Sequence, residues 1–295
     1  MDWVGFEPTA STLRRRITVT RDTLKEYINI IELSSITSGH RNEVNRILKS
    51  YLNYIKFKIN KGNSLNYFKL LKESCSISYY IKQMYQIRKF LSYLKVEWAD
   101  NIKLPPYPTY YPKRFGLEDI KKTLAFFEGK YYYKQVKALV LLGATSGIRA
   151  EEIYQLDISD IDLENRIVHI NHDPRNEQYT KTRESRISFF NKEAQQALKD
   201  FFEYFNNGSK LKILFSQTQI KRHFYGAPIR VKDLRKFFSQ DWDRRCGPTS
   251  IKKLLMGHSG DVDLYHYNAQ NEDDLKGIYD KVMSNVVLKS DTIIS

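Results

Sequence analysis

VKALVLLGATSGIRAEEIYQL, Val136 to Leu156, is the stretch of this 295-residue chain that decides how its second half folds. Its first part is almost wholly apolar and predicts a buried helix. Ser146-Gly147 predicts the end of that helix, because glycine readily adopts the left-handed backbone of a C-terminal cap. IRAEEIYQL predicts the start of the next helix. Arg149 therefore follows a glycine turn between two helices.

The segments around this stretch predict a mixed architecture with few strands. GLEDIKKTLAFFEG, before it, predicts a short helix. DIDLENRIVHI and TKTRESRISFF, after it, contain alternating apolar residues that are typical of short strands. KEAQQALKDFFEYF is a helical pattern, and the chain from Arg230 onward is mostly helical in pattern. We therefore predict a mainly α fold with a small β-sheet, which is an α+β arrangement.

A proline-rich segment divides the chain. NIKLPPYPTYYPKRFG, residues 101–116, predicts a linker, because its four prolines remove backbone donors and resist helix formation. Before it, residues 38–100 predict a basic helical domain, preceded by an N-terminal extension at residues 1–37. After it, residues 117–295 predict a second domain that ends in a tail helix.

Positive charge is concentrated in the first part of the chain. The formal net charge is +14, and residues 1–114 contain 20 Lys/Arg and 9 Asp/Glu, a net charge of +11. From Arg46 to Lys95 there are eleven basic residues and one acid, Glu73. Charge this dense predicts salt-dependent binding to nucleic-acid phosphates, with a solvated helix face as the alternative. The candidate DNA contacts are Arg46, Lys49, Lys56, Lys58, Lys61, Lys82, Arg88 and Lys89.

Other features of the composition exclude several classes of protein. The longest apolar run, residues 138–144, is too short to span a bilayer, and the N-terminus lacks the apolar core of a signal peptide. We therefore expect a cytoplasmic protein without a membrane partner. Cys75 and Cys246 cannot form a disulfide framework or a four-ligand zinc site. The sequence contains no Walker-A loop and no convincing metal-ligand cluster, so we expect no cofactor and no metal.

Five short motifs of the second domain carry residues suited to phosphate chemistry. They are SGIRAEEIYQL, KTRESRISF on a predicted hairpin, VKDLRKFF, GHSG and HYN. In chain order they supply Arg149, Lys181, Lys232, Arg235, His258 and Tyr267. Lys232 and Arg235 are three residues apart and so share one helix face. Each motif alone is unspecific, but the ordered set with these spacings is specific.

In this order and spacing the chain resembles the tyrosine recombinase (phage integrase) family, whose pattern is Arg, a hairpin Lys, His-x-x-Arg, Gly-His and a Tyr about nine residues on. The resemblance implies an integrase-type catalytic domain at 117–295 and a core-binding domain at 38–100. It also implies a 3′-phosphotyrosyl intermediate, which conserves the bond energy and needs neither ATP nor a metal. Lysine at position 232, where histidine is commoner in the family, makes the chain most similar to archaeal virus and plasmid integrases.

The implied roles agree with side-chain chemistry. Attack on a phosphodiester adds negative charge to the non-bridging oxygens, which Arg149 and Arg235 would hold with their forked donors. A tyrosine hydroxyl has a pKa of about 10, so nearby cations would favour its phenolate. Lys181 would protonate the leaving 5′-oxygen, while His258 and Lys232 would hydrogen-bond the phosphate or assist proton transfer.

Two tyrosines compete for the role of nucleophile. The family spacing and the His266-Tyr267 context favour Tyr267. Tyr265 would share a face with Tyr267 in an extended segment and would face elsewhere in a helix. We therefore predict Tyr267 as the nucleophile and keep Tyr265 as the alternative.

Other assignments also have a second interpretation. Arg149 could form a surface ion pair with Glu152 at i+3. Within the set we interpret Glu152 as the residue that orients Arg149. Arg183 and Arg186 lie on the same segment as Lys181 and compete with it for the role of general acid.

The two ends of the chain suggest further hypotheses. NEDDLKGIYDKVMSNVV, residues 271–287, predicts an amphipathic helix that either packs on its own domain or docks onto a neighbouring protomer. Gly5-Phe6-Glu7-Pro8 can be encoded by GGG-TTC-GAA-CCC, which resembles the T-arm of a tRNA gene. Some archaeal virus integrases carry their attachment site inside their own gene, so one hypothesis is that residues 1–37 include a translated attachment site. The alternative is a disordered basic start.

We therefore predict a site-specific recombinase that integrates or excises a mobile element at duplex DNA attachment sites. The resemblance implies a homotetramer on DNA and leaves accessory proteins open. A chromosome-dimer-resolving recombinase would use the same chemistry in another role, and a type IB topoisomerase would only relax DNA. A non-catalytic DNA-binding protein is the alternative of another class, but it would be expected to lack an arginine or tyrosine of the set.

Overall fold

The polypeptide alternates helices with very short strands over the residues that the computed structural model describes, which are 17–33, 38–176, 178–205, 213–258 and 270–284. The chain divides into two compact units, residues 1–111 and 112–295. The predicted fold class is confirmed, because helices dominate both units and each has one small antiparallel sheet within its described part.

The first unit is built around an aromatic and aliphatic core. Its helices in the described ranges are α1 (Arg21–Glu32), α2 (Ser38–Tyr54), α3 (Lys61–Ser74) and α4 (Ile77–Tyr93). Tyr51, Ile87 and Phe90 are fully buried, which follows from their spacing on the apolar faces of α2 and α4. The basic residues between them lie mostly on the exposed faces.

This unit begins earlier than residue 38, where the sequence predicted the start of the helical domain. Strand β1 (Ile17–Thr18) pairs antiparallel with β2 (Lys58–Ile59). Leu24 and Tyr27 of α1 are buried in the same core as α2 and α4. Helix α1 therefore contributes its apolar face to the core of the basic helices.

The second unit surrounds one buried helix. Its described helices are α5 (Leu117–Phe127), α6 (Tyr133–Ser146), α7 (Ala150–Ile153), α8 (Lys192–Phe205), α9 (Gln217–His223), α10 (Val231–Arg244), α11 (Thr249–Met256) and α12 (Glu272–Met283). Helix α6 is buried along most of its length and packs most extensively against α8 and α10. The apolar stretch quoted first is therefore the centre of this unit, as predicted.

A three-stranded antiparallel sheet covers one side of α6. Its strands are β3 (Ile161–Asp162), β4 (Ile167–Ile170) and β5 (Arg186–Phe189), in the order β3-β4-β5. Val168 of β4 lies opposite Ser188 of β5, and both are fully buried. The predicted hairpin is present, with Lys181 in the connection between β4 and β5.

The glycine turn after α6 forms as the sequence predicts. Gly147 caps the helix in the left-handed conformation, with φ of 66°. A Cβ at this position would lie 2.3 Å from a ring carbon of Phe238 on α10. Both the backbone angle and the close approach of α10 therefore require glycine, and Arg149 is placed beside the core.

The C-terminal helix packs on its own unit, while its docking onto a neighbouring protomer stays a prediction. Leu275, Tyr279 and Met283 of α12 are buried, and the Tyr279 hydroxyl donates to the carbonyl oxygen of Thr145 at 2.8 Å. None of the helices within the described ranges is long and apolar enough to span a membrane.

Candidate active site

Arg149 is held at the start of α7 by a carboxylate one helical turn along. Its backbone N–H donates to Oε2 of Glu152 at 2.7 Å, and its Nη1 donates to Oε1 at 2.8 Å. One side chain thus caps α7 and orients the guanidinium. The Glu152 side chain is only 3% exposed, so this contact is not the surface ion pair of the alternative interpretation.

Glu152 is shared with Arg186, the first residue of β5. Nη1 of Arg186 donates to Oε1 at 3.1 Å and Nη2 donates to Oε2 at 2.7 Å. With the two bonds from Arg149, these donors fill the lone pairs of the carboxylate. Burial favours the neutral acid, but the hydrogen bonds and charge of Arg186, and then those of Arg149, lower the pKa of Glu152. Glu152 is therefore an anion at neutral pH and is unsuited to act as a base.

Three arginines converge on the last turn of α11. The carbonyl oxygens of the consecutive residues 255–257 each accept a hydrogen bond from a different guanidinium. Arg186 donates to the first at 3.1 Å, Arg235 to the second at 2.7 Å and Arg149 to the third at 2.7 Å. The last carbonyls of a helix have no partner inside it, so these arginines both satisfy and position the end of α11.

The end of α6 is bound in the same manner. The carbonyl oxygens of residues 145–147 accept from Tyr279 of α12 at 2.8 Å, from Ser188 of β5 at 2.7 Å and from Nη1 of Arg235 at 2.8 Å. Arg235 therefore joins the ends of α6 and α11. Side chains that are distant in sequence meet at these two helix ends.

Gly257 and His258 continue from the end of α11. Gly257 has φ of 65°, and a Cβ there would lie 2.6 Å from Nε of Arg186. The backbone N–H of His258 donates to the carbonyl of Lys253 at 3.0 Å and closes the cap. His258 thus follows directly the turn that the arginines hold, and its side chain is at the surface.

Positive charge exceeds negative charge at this site. Arg149, Arg186 and Arg235 surround Glu152, three cations against one anion, which leaves a net charge of +2. Burial, followed by the charge of Arg149, lowers the pKa of Arg235 to about 10, so it remains a cation at neutral pH. Partial burial, followed by the charges of Arg235 and Arg149, lowers the pKa of His258 and favours its neutral imidazole.

Arg149 and Arg235 retain donors for a further ligand. Each uses two N–H groups for acceptors in the described part of the chain, and a guanidinium has more than that. The Arg149 side chain is 21% exposed, which leaves it accessible from solvent. The arrangement can therefore hold an anion with donors that are already fixed in place.

The two predicted lysines are exposed. Lys181 follows Thr180, which is buried and whose backbone N–H donates to Nδ1 of His172 at 3.2 Å. Lys232 lies in the first turn of α10, three residues before Arg235. Neither ammonium group makes a hydrogen bond or ion pair within the described ranges, so their place in the site stays a prediction.

The predicted nucleophile lies outside the described residues. Tyr267 and its competitor Tyr265 both fall within 259–269, the segment that follows His258. The choice between them therefore stays a prediction. Residues 1–16 and 34–37, most of the proposed attachment-site segment, also lie outside the described ranges.

The basic residues predicted to contact DNA fall into two groups. Those that are exposed are Arg46, Lys49, Lys56, Lys58, Lys61 and Lys89. The other two are half-buried and bound internally, since Lys82 pairs with Glu43 and Arg88 donates to the carbonyl of Ile102 at 3.3 Å. These internal contacts restrict how far Lys82 and Arg88 can reach toward a phosphate.

Arg186 is the site residue that the sequence did not assign. The sequence presents Arg186 only as a competitor of Lys181 for the role of general acid. In the structure, Arg186 donates hydrogen bonds to Glu152 and to the carbonyl oxygen of Leu255. The sequence feature that points to Arg186 is its position as the charged first residue of an otherwise largely apolar strand, RISF. Within the described residues no group of His, Cys, Asp and Glu side chains is arranged to hold a metal ion.

The sequence is similar to a known protein family and to one characterised member of it. The sequence profile of the phage integrase family matches residues 113–259, which include Arg149, Lys181, Arg235 and His258. Tyrosine recombinase XerA of Saccharolobus solfataricus is 29% identical over 283 residues, covering 93% of this chain and 87% of that protein.

Two solved structures share the fold. One is lambda integrase as a dimer bound to a core site, with a TM-score of 0.65, 11% identity, and coverage of 81% of this chain and 94% of that chain. The other is the Tn1549 transposon integrase in complex with circular intermediate DNA, with a TM-score of 0.58, 15% identity, and coverage of 87% and 97%. At these identities the likeness concerns the fold alone.

Proposed function

Because the chain belongs to the phage integrase family of tyrosine recombinases, which cleave and rejoin DNA through a tyrosine nucleophile, we propose that it recombines duplex DNA at the attachment sites of a mobile element. The observation that supports this best is the arginine cluster. Arg149 and Arg235 are fixed by buried contacts, carry an excess of positive charge and keep unused donors. A phosphodiester that gains charge during attack is the group that such a site stabilises.

The reaction assigned to the site is a transesterification. The Tyr267 oxygen attacks the scissile phosphorus and forms a phosphotyrosyl bond while the bond to the 5′-oxygen breaks. Lys181 gives its proton to the leaving 5′-oxygen, and the tyrosine proton leaves to a base or water. Attack by a 5′-hydroxyl of a second DNA end reverses these steps and releases the enzyme. No external energy source is required, because one phosphodiester replaces another.

The neighbouring residues support this reaction in different ways. Glu152 has no free lone pair, so its role is to orient Arg149. His258 favours the neutral imidazole and can donate a hydrogen bond to a phosphate oxygen. Lys232 adds a cation on the same helix as Arg235 and would interact with the phosphate from the exposed side.

The first unit supplies the remaining DNA affinity in this proposal. Its exposed cations contact phosphates, which position the protein, while base contacts and DNA shape select the site. The DNA complexes of the lambda and Tn1549 integrases, which share the fold, support a duplex substrate. A homotetramer on two sites and a location in the cytoplasm belong to the same proposal.

A covalent adduct tests the chemistry and the nucleophile together. Supercoiled plasmid carrying the coding DNA of residues 1–37 would be incubated with wild type, Tyr267→Phe and Tyr265→Phe, and then treated with SDS. We expect a protein–DNA adduct with wild type and Tyr265→Phe and none with Tyr267→Phe. If the adduct is lost only with Tyr265→Phe, the nucleophile is Tyr265. If wild type binds the plasmid but forms no adduct, the result favours a non-catalytic DNA-binding protein.

Strand exchange separates the recombinase from a topoisomerase. Two copies of the same segment on one plasmid would be resolved into two circles by a recombinase. Relaxation of the plasmid without resolution would indicate the topoisomerase alternative. A preference for sites in the host chromosome over the gene's own segment would indicate the chromosome-dimer-resolving role.

A further inference from the structure

We propose that Arg186 is a positioning residue of this site, which joins the carboxylate that orients Arg149 to the helix end that carries His258. The inference rests on the proposed function, because it concerns the alignment of groups around the scissile phosphate. Neither the ordered motif nor the chemistry of strand cleavage requires an arginine at this position. Its role is visible only in the folded chain.

The side chain bridges two elements with all three of its nitrogens. Nη1 and Nη2 donate to the two oxygens of Glu152 at 3.1 and 2.7 Å, and Nε donates to the carbonyl of Leu255 at 3.1 Å. The planar guanidinium fixes the angle between these bonds. Arg186 therefore fixes the distance between α7, which contains Glu152, and the last turn of α11.

The end of α11 is shaped to receive this side chain. Gly257 approaches so closely that a Cβ would lie 2.6 Å from Nε and 2.8 Å from Cδ of Arg186. The next two carbonyls of the same turn are bound by Arg235 and Arg149. Because the three acceptors are consecutive, displacement of the first one moves the other two and the residue that follows them, His258.

Arg186 differs from Arg149 and Arg235 in what its donors reach. Its Nε edge and its Nη pair are both engaged by protein groups, and its side chain is 11% exposed against 21% for Arg149. It therefore acts on the phosphate through its neighbours. A lysine keeps the charge but cannot make the forked bond to Glu152 and the bond to Leu255 together.

Single-turnover cleavage separates positioning from binding. Adduct formation on the plasmid described above would be timed at saturating protein for wild type, Arg186→Lys and Arg186→Gln, with Kd measured on the same DNA. We expect both variants to cleave about 100-fold more slowly, the loss typical of a displacement near 1 Å, with Kd unchanged. Arg175→Gln is the matched control, since it removes an exposed arginine from the same β4–β5 connection.

Two results would overturn the proposal. Wild-type cleavage by the folded Arg186→Lys and Arg186→Gln proteins would show that the bridge is not needed. A wild-type rate in Arg186→Lys together with a loss confined to Arg186→Gln would make Arg186 a direct charge contact of the phosphate instead. Melting temperatures identify a variant that fails to fold, and Arg186→Lys, which preserves the charge beside Glu152, is the variant expected to survive.

Hydrogen exchange tests the bridge without DNA. We expect Arg186→Lys to accelerate amide exchange at residues 254–258 and to leave α8 unchanged, since the substitution weakens the bonds to Leu255 and Glu152 and none to α8. Equal exchange in wild type and variant would overturn the proposal whatever the cleavage result. A wild type that forms no adduct but shows the expected exchange would count against the proposed function alone.

Discussion

The two basic regions of this protein use positive charge in opposite ways. In the second unit, Arg149, Arg186 and Arg235 are partly or largely buried, and each is bound to backbone carbonyls. In the first unit, Lys49 and Lys56 and their neighbours are exposed. The arginine cluster of the second unit holds a few cations at fixed positions, whereas the first unit presents many exposed cations.

In the proposed function, this difference separates the residues that act on the reaction from those that supply affinity. A fixed guanidinium stabilises charge at one point and does not need to reorganise during the reaction. An exposed lysine neutralises a nearby phosphate, and its contribution to affinity falls as the salt concentration rises. By net charge alone, the reaction would be assigned to the first unit, which holds most of the excess positive charge. The proposed reaction instead uses the smaller excess, whose arginines are held by hydrogen bonds.

The largest effect is expected from removing the anion at the centre of the arginine cluster. Glu152→Gln should lower the free energy of unfolding by about 3–5 kcal/mol, because it leaves buried guanidinium groups without a counter-charge. Since the folded protein lowers the pKa of Glu152, its stabilisation is present above the unfolded value of about 4.3 and is lost as pH falls through the folded pKa. Denaturation across pH 2–7 should therefore show a smaller pH dependence in the variant. An unchanged curve would contradict the role of Glu152.

A smaller but more specific loss is expected at Arg235. Arg235→Gln should slow adduct formation by about 10²–10³-fold, the usual cost of a lost donor to a charged transition state, without a matching change in Kd. Arg244→Gln is the matched control, because Arg244 also lies on α10 and donates to a backbone carbonyl, that of Phe115 at 3.1 Å. Equal losses in both variants would mean that the effect is structural.

Substitution of the exposed lysines of the first unit should change the DNA affinity and leave the cleavage rate unchanged. Lys49→Gln, Lys56→Gln and Lys61→Gln should each reduce the slope of log Kd against log salt by about 1, with no change in cleavage at saturating DNA. Lys82→Gln should reduce it less, since Lys82 already pairs with Glu43. A cleavage defect at saturating DNA in the first three variants would remove the distinction between the two regions.

The smallest effect concerns the histidine beside the fixed cations. The imidazole of His258 should titrate below the usual value of about 6.5, because it is partly buried and lies near Arg235 and Arg149. In Arg235→Gln its pKa should rise toward the usual value. NMR titration of the histidine ring protons measures both, and a midpoint that does not change would show that the cluster does not reach His258.

Local patterns were sufficient for part of the molecule. The glycine cap at Gly147, the buried α6, the hairpin and the amphipathic tail helix all follow from spacing and turn chemistry within short windows. The order of the motif residues also located Arg149 and Arg235, which the fold brings to the same helix end. The family match covers most of that set.

Long-range pairing accounts for what the sequence did not reveal. Arg186 is bound to Glu152, 34 residues earlier, and to Leu255, 69 residues later, and no local period encodes such contacts. The pairing of Lys82 with Glu43 likewise could not be seen from the charge count. The sequence pattern alone places α1 in an N-terminal extension, because its apolar face can be recognised as a core surface only where it packs against α2 and α4.

The helix ends described above have an electrostatic consequence. Helices α6 and α11 both direct their C-termini at the arginines, and the C-terminus of a helix carries about half a negative charge. The backbone thus serves as an internal counter-ion, which offsets part of the repulsion among three neighbouring guanidinium groups.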